Sequence, residues 1–185
     1  MAMQEKAVQK AQKLSDIYLL KQGINEYKNN LQLARSYYDT TLLPLSPYFS
    51  QERRDRIAKI TATTLILQRL NCIVTGNIPT DELIGQSLIM GAIIDPYDGL
   101  LDQSDFPTAM SFSRDLFNVF NKDFDFRRIP DNSNNDEQAF YKYLKLLQSE
   151  IPLDNNPDFW HTLKALHFVQ TLTLLQRKEA RQLSE

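Results

Sequence analysis

Residues Leu83 to Ile94 read LIGQSLIMGAII, with Gln86 and Ser87 as the only polar side chains. Wound as a helix, Leu83, Ile84, Leu88, Ile89, Met90, Ile93 and Ile94 cover nearly the whole circumference. A helix without a polar face belongs inside a bundle rather than on its surface. Gly85, Ser87, Gly91 and Ala92 are small enough for neighbouring helices to approach closely. The stretch therefore predicts a buried apolar central helix over about residues 80–94, opened at Pro79 or Thr80 with Asp81 and Glu82 in its first turn.

The flanking sequence is helical as well. Upstream, Ile17, Leu20, Ile24, Tyr27, Leu31, Ala34 and Tyr38 recur at three- and four-residue steps, which predicts a first helix over about residues 4–40. Gly23 marks a site where it could break in two, and Pro44 and Pro47 force an extended loop. Ser50 is placed to cap a second helix, with Glu52 in its first turn and Ile57, Ile60, Thr64, Leu67 and Leu70 facing inwards. Thr75-Gly76-Asn77 stops it. Downstream, Asp105 caps a fourth helix from Pro107 that carries Met110, Phe112, Leu116, Val119 and Phe120. Asp131 to Asn135 read as a solvated loop. A fifth helix follows over about Asp136–Ser149. A sixth starts at Asn156-Pro157-Asp158, with Phe159, Leu163, Leu166, Val169 and Leu174 as its apolar stripe. The expected fold is one all-α domain over residues 1–185, a bundle of six or seven helices.

Composition removes several function classes. The 185 residues carry 21 Lys+Arg against 23 Asp+Glu, a net charge of -2, which leaves no basic footprint for nucleic acid. One cysteine, Cys72, excludes a disulfide scaffold and a multi-cysteine zinc site. No apolar run approaches the roughly 20 residues that span a bilayer. The polar start, Met1 to Lys13, lacks an apolar signal core, so a cytoplasmic location is expected. His161 and His167 lie six apart, about 120° round a helix, and so form no metal pair. His161, following Trp160, reads as a packed or interfacial residue. Cys72 reads as a small buried hydrophobe.

One segment carries a chemical signal. Asp95-Pro96-Tyr97-Asp98-Gly99-Leu100-Leu101-Asp102-Gln103-Ser104-Asp105 ends the apolar helix. On a continuing helix Asp95, Asp98 and Asp102 fall within about 60° of one another. Like charges so placed repel unless a cation neutralises them, and oxygen-only ligands suit Mg²⁺. The same residues also read as ordinary punctuation. Asp95 could end the helix before Pro96, Asp98-Gly99 is a turn signal, and Asp105 is a cap. Arg53, Arg54 and Arg56 read as a solvated first turn with some capacity for diphosphate. Arg69 is the better buried partner for an aspartate. Tyr38, Phe112 and Phe117 could line an apolar substrate cavity, or simply the core.

This acidic cluster resembles the first metal motif of class I isoprenoid synthases, the all-α terpene and prenyl synthase superfamily. The run Gly91-Ala92-Ile93-Ile94-Asp95-Pro96-Tyr97-Asp98, then Asp102, is similar to it in hydropathy and placement, over about residues 50–125. The resemblance implies an isoprenoid-synthase-like fold and Mg²⁺ held by Asp95, Asp98 and Asp102. It implies an allylic diphosphate as ligand, with Arg69 and Arg56 as candidate anion contacts. Pro96 stands where the commonest form of the motif has a second Asp, and Asn135-Asp136 does not continue into the second metal motif. These departures imply an N-terminal portion, or a divergent relative that does not catalyse alone. The other expectation is a non-catalytic helical interaction or oligomerisation module, with the first helix as its partner surface. The last helix lacks a stop signal and should run to within a few residues of Glu185. Few helices remain to cover its apolar stripe, so an exposed groove and a homo-oligomer are expected.

Overall fold

The computed structural model describes residues 21–121 and 134–182, with side chains to Arg177. Among them every regular element is helical. The first, α1, covers residues 21–37 and widens into a π turn at Tyr38–Leu42. Gly23 does not break it. Pro44 sits in the opening positions of a 3₁₀ turn, Leu43–Leu45, where its missing N–H has no helical partner to lose. That replaces the expected extended loop. The predicted start of the first helix and most of the Asp131–Asn135 loop lie outside the described residues.

The capping signals predicted from sequence operate as hydrogen bonds. Helix α2 is Gln51–Thr75, and the Ser50 side chain accepts from the Arg53 N–H. Gly76, at φ 70°, adopts the left-handed conformation that ends it, and its N–H reaches the carbonyls of Cys72 and Ile73. Thr80 caps α3, Asp81–Asp98, through the Leu83 N–H. Asp105 caps α4, Phe106–Asn121, through the Thr108 N–H at 2.8 Å. Asn134 caps α5, Asn135–Glu150. Pro157 opens α6, which runs to Gln182. The helix does not stop at Asp95. It passes through Pro96 and widens into a π turn over Gly99–Gln103, losing only the bond that proline cannot donate.

The expected inner faces are met in part. In α2 the buried residues are Ile57, Ala58, Thr61, Ala62 and Leu65, together with Cys72, whereas Leu67 and Leu70 are exposed. In α6 Trp160, His167, Thr171 and Leu174 are buried and Phe159 and Leu163 pack against the core, whereas Val169 is exposed and Leu166, though exposed, borders a cavity on the packed side. His161 is exposed rather than packed, and His167 is the buried histidine. Both faces were drawn through large apolar residues, and in each case small or polar residues, Ala58, Thr61 and Ala62 in α2 and Thr171 in α6, share the crowded side with large ones. The reason in α2 is the closeness of α3. A Cβ on Gly91 would stand 2.6 Å from the Thr61 Cα, so only glycine fits this crossing.

Two cores result. Ala34, Ala58, Ala62, Leu65 and Leu88 join α1, α2 and α3. A larger cluster, with Ile89, Phe112, Leu116, Tyr141, Leu144 and Trp160 among its members, joins α3 to α4, α5 and α6. Ser87, Leu88, Ile89, Gly91, Ala92 and Ile93 of α3 are buried, and Ile94 is 38% exposed. By length and composition α2 could cross a bilayer, but its Ile57–Leu65 side is buried within the protein.

Candidate functional site

The acidic cluster sits where the end of α3 meets the start of α2. Asp95 is 4% exposed, a placement that a carboxylate tolerates only with strong partners. It has two. Arg53 Nε donates to one carboxylate oxygen at 2.8 Å, and Arg56 Nε donates to the other at 2.5 Å. Arg53 and Arg56 lie three apart on α2, hence on one face of the helix, which brings both guanidiniums to one carboxylate. Arg53 also bonds Asp136 in the first turn of α5, and its guanidinium lies over the Phe49 ring at 4.0 Å. One ion network thus joins α2, α3 and α5.

The other two aspartates take different directions. Asp102, in the π turn, bonds Arg177 of α6 at 2.5 Å, with both side chains about half exposed. Asp98 lies between these pairs. Partial burial, and then the charges of Asp102 and Asp95, raise its carboxyl above the ordinary carboxylate range. The three carboxylates are close enough to feel one another. Even so, no group of three or more His, Cys, Asp or Glu among the described residues could hold a metal ion. Mg²⁺ needs open oxygen ligands on one side of the ion. Here Asp95 has spent both oxygens on guanidiniums and Asp102 faces Arg177, so the residues present do not fit the ion.

The expected anion contacts divide in the same way. Arg69 pairs with Glu26 at 2.8 Å on the surface and meets no aspartate among the described residues. Arg56 does meet the cluster, as the ion-pair partner of Asp95. Arg54 is held by the carbonyls of Phe49 and Pro47 rather than solvated. Arg53 and Asp136 are the members that the sequence reading missed. The three-residue spacing of Arg53 and Arg56 was the legible signal for the first. Asp136 reads only as a first-turn acid of α5.

The aromatic candidates are dispersed as well. The Tyr38 hydroxyl bonds Ser46 Oγ at 2.9 Å, and the same Ser46 Oγ bonds Tyr143 at 2.5 Å, a buried link between the end of α1 and α5. Phe112 is buried edge-on to Phe140 and Tyr97. Phe117 lies 4.7 Å from the His167 ring. An apolar cavity does exist, between α3, α4, α5 and α6, but Tyr38, Phe112, Phe117 and the three aspartates are absent from its lining.

A different surface stands out on α6. Ala165, Phe168, Val169, Leu172 and Leu175 recur at three- and four-residue steps and are all exposed, Phe168 to 52% and Val169 to 55%. By helical rotation this stripe is centred about 135° from the side that carries Trp160, His167 and Leu174. Helix α6 therefore has two apolar sides, and only one of them is packed. Compared with models of known protein families, with curated proteins and with solved structures, the chain finds no match.

Proposed function

We propose that this chain is a non-catalytic helical interaction module that self-associates through the outer face of α6. The observation that carries it is the exposed stripe Ala165, Phe168, Val169, Leu172 and Leu175, turned away from the packed side of the same helix. A stripe at this spacing is what a second helix buries. Under a two-fold axis the same stripe on a second copy is its own complement. The acidic cluster serves the module as a clamp between α2, α3 and α5 rather than as a metal site.

Light scattering tests this reading. Wild-type protein should be dimeric at high micromolar concentration, and Phe168→Glu with Leu172→Glu should be monomeric with unchanged helical circular dichroism. A wild-type monomer at that concentration overturns it. The isoprenoid-diphosphate reading has its own measurement, the melting temperature in Mg²⁺ and pyrophosphate. No rise is expected. A saturable rise that Asp98→Asn abolishes would return the chain to the synthase-like class.

A further inference from the structure

The apolar cavity has a volume of about 210 Å³. Met90 and Ile93 of α3, Leu116 and Phe120 of α4, and Phe140 and Leu144 of α5 form its walls. Leu163 and Leu166 complete it from α6. Ile94 and Leu166, exposed to 38% and 58%, stand at the rim beside Gln170.

Its polar lining offers a ligand almost nothing. His167 is 2% exposed, and both of its ring nitrogens are already engaged. Nε2–H donates to the Ser113 carbonyl at 3.1 Å, which leaves Nδ1 to accept from the Tyr97 hydroxyl at 2.8 Å. The tautomer follows from these partners, since a carbonyl can only accept. Water needs two to four polar partners in a cavity and finds none here that is free, apart from Gln170 at the rim. An engineered apolar cavity of about 150 Å³ stays dry and takes up benzene. This one is larger, is walled mainly by the same Leu, Ile and Phe side chains and, unlike an enclosed cavity, opens to the surface, which gives a ligand a way in.

We infer that this cavity is a binding site for a small, neutral, apolar molecule somewhat larger than benzene, a single ring or a short hydrocarbon chain. Charged ligands are disfavoured because no uncommitted charge lines the walls, and the free amide of Gln170 is neutral and stands at the rim. The inference rests on the inner side of α6 and is independent of the outer stripe.

Methionine-methyl NMR provides the test. Met90 lines the cavity and Met110 packs against the core outside its lining, so the two form an internal comparison. On titration with toluene the Met90 methyl should shift saturably, and the Met110 methyl much less. At about ten times its Kd toluene should raise the melting temperature by about 3–6 °C. Ile94→Trp places a larger side chain at a partly exposed rim position and should remove the Met90 response. If that variant fails to fold, Leu166→Trp blocks the same mouth from α6. Benzylammonium, the charged counterpart, should leave Met90 unmoved. A Met90 signal unchanged at the solubility limit of toluene overturns the inference. So does an equal response in the rim variants, or benzylammonium binding as tightly as toluene.

Discussion

Asp95 shows how burial decides what a carboxylate does. In water it would be a weak ligand for any passing cation, but at 4% exposure it depends on Arg53 and Arg56. Replacing one partner of a buried charged pair leaves the other unsatisfied, so Asp95→Asn should lower stability by about 1–3 kcal/mol in denaturant unfolding. Asp98 is the opposite case. Its raised carboxyl means that the folded state holds the proton to higher pH than the unfolded chain does. Stability is therefore lost as pH rises through its titration. Asp98→Asn should raise stability at pH 7 by a few tenths of a kcal/mol, the scale of a like-charge helical pair. The gain should vanish below the carboxylate range, where wild-type Asp98 is itself neutral, and thermal melts at the two pH values check this.

At the scale of elements, the α2–α3 crossing is set by one missing side chain. Gly91→Ala would drive a Cβ to 2.6 Å from the Thr61 backbone. Overpacking of this kind should destabilise by about 1–3 kcal/mol. Gly85 lies on the same helix with nothing within 4 Å of its virtual Cβ. There the ordinary helix preference operates alone, and Gly85→Ala should stabilise by about 0.5–1 kcal/mol. Paired denaturant curves for the two variants separate close packing from propensity. Equal effects would mean that the helices can part at Gly91 without loss.

For the whole molecule, the pH response turns on His167, which lies within the larger core. It is surrounded by Tyr97, Ser113, Phe117 and Phe120, and burial lowers its pKa from the ordinary 6.5. The Tyr97 hydroxyl is pushed the other way, by burial first and then by Asp98 and Asp102, and stays a donor to the imidazole. A histidine with a lowered folded pKa binds its proton more readily once unfolded. Its contribution is thus complete above about pH 6.5 and is lost as pH falls below that value. In NMR titration the His167 midpoint should lie below the ordinary imidazole value of 6.5. A midpoint at or above that value would show that the Tyr97–His167–Ser113 chain opens freely.

What the sequence determined by itself is what depends on a few neighbouring residues. Ser50, Thr80 and Asp105 each bond an N–H three positions on, and Gly76 supplies a positive φ, so the starts of α2, α3 and α4 and the stop of α2 were legible without any tertiary contact. The all-helical class follows from the same signals together with the 3.6-residue spacing. The choice of inner side was not local. In α2 and α6 large apolar residues lie on both sides, and packing at Gly91 and around Trp160 selected between them. Nor was the fate of the aspartates local. Asp95 meets Arg53 and Arg56 across 42 and 39 residues of chain, and Asp102 meets Arg177 across 75. Spacing along a helix can place carboxylates on one face. Only the helices that pack against that face decide whether a cation or a guanidinium answers them.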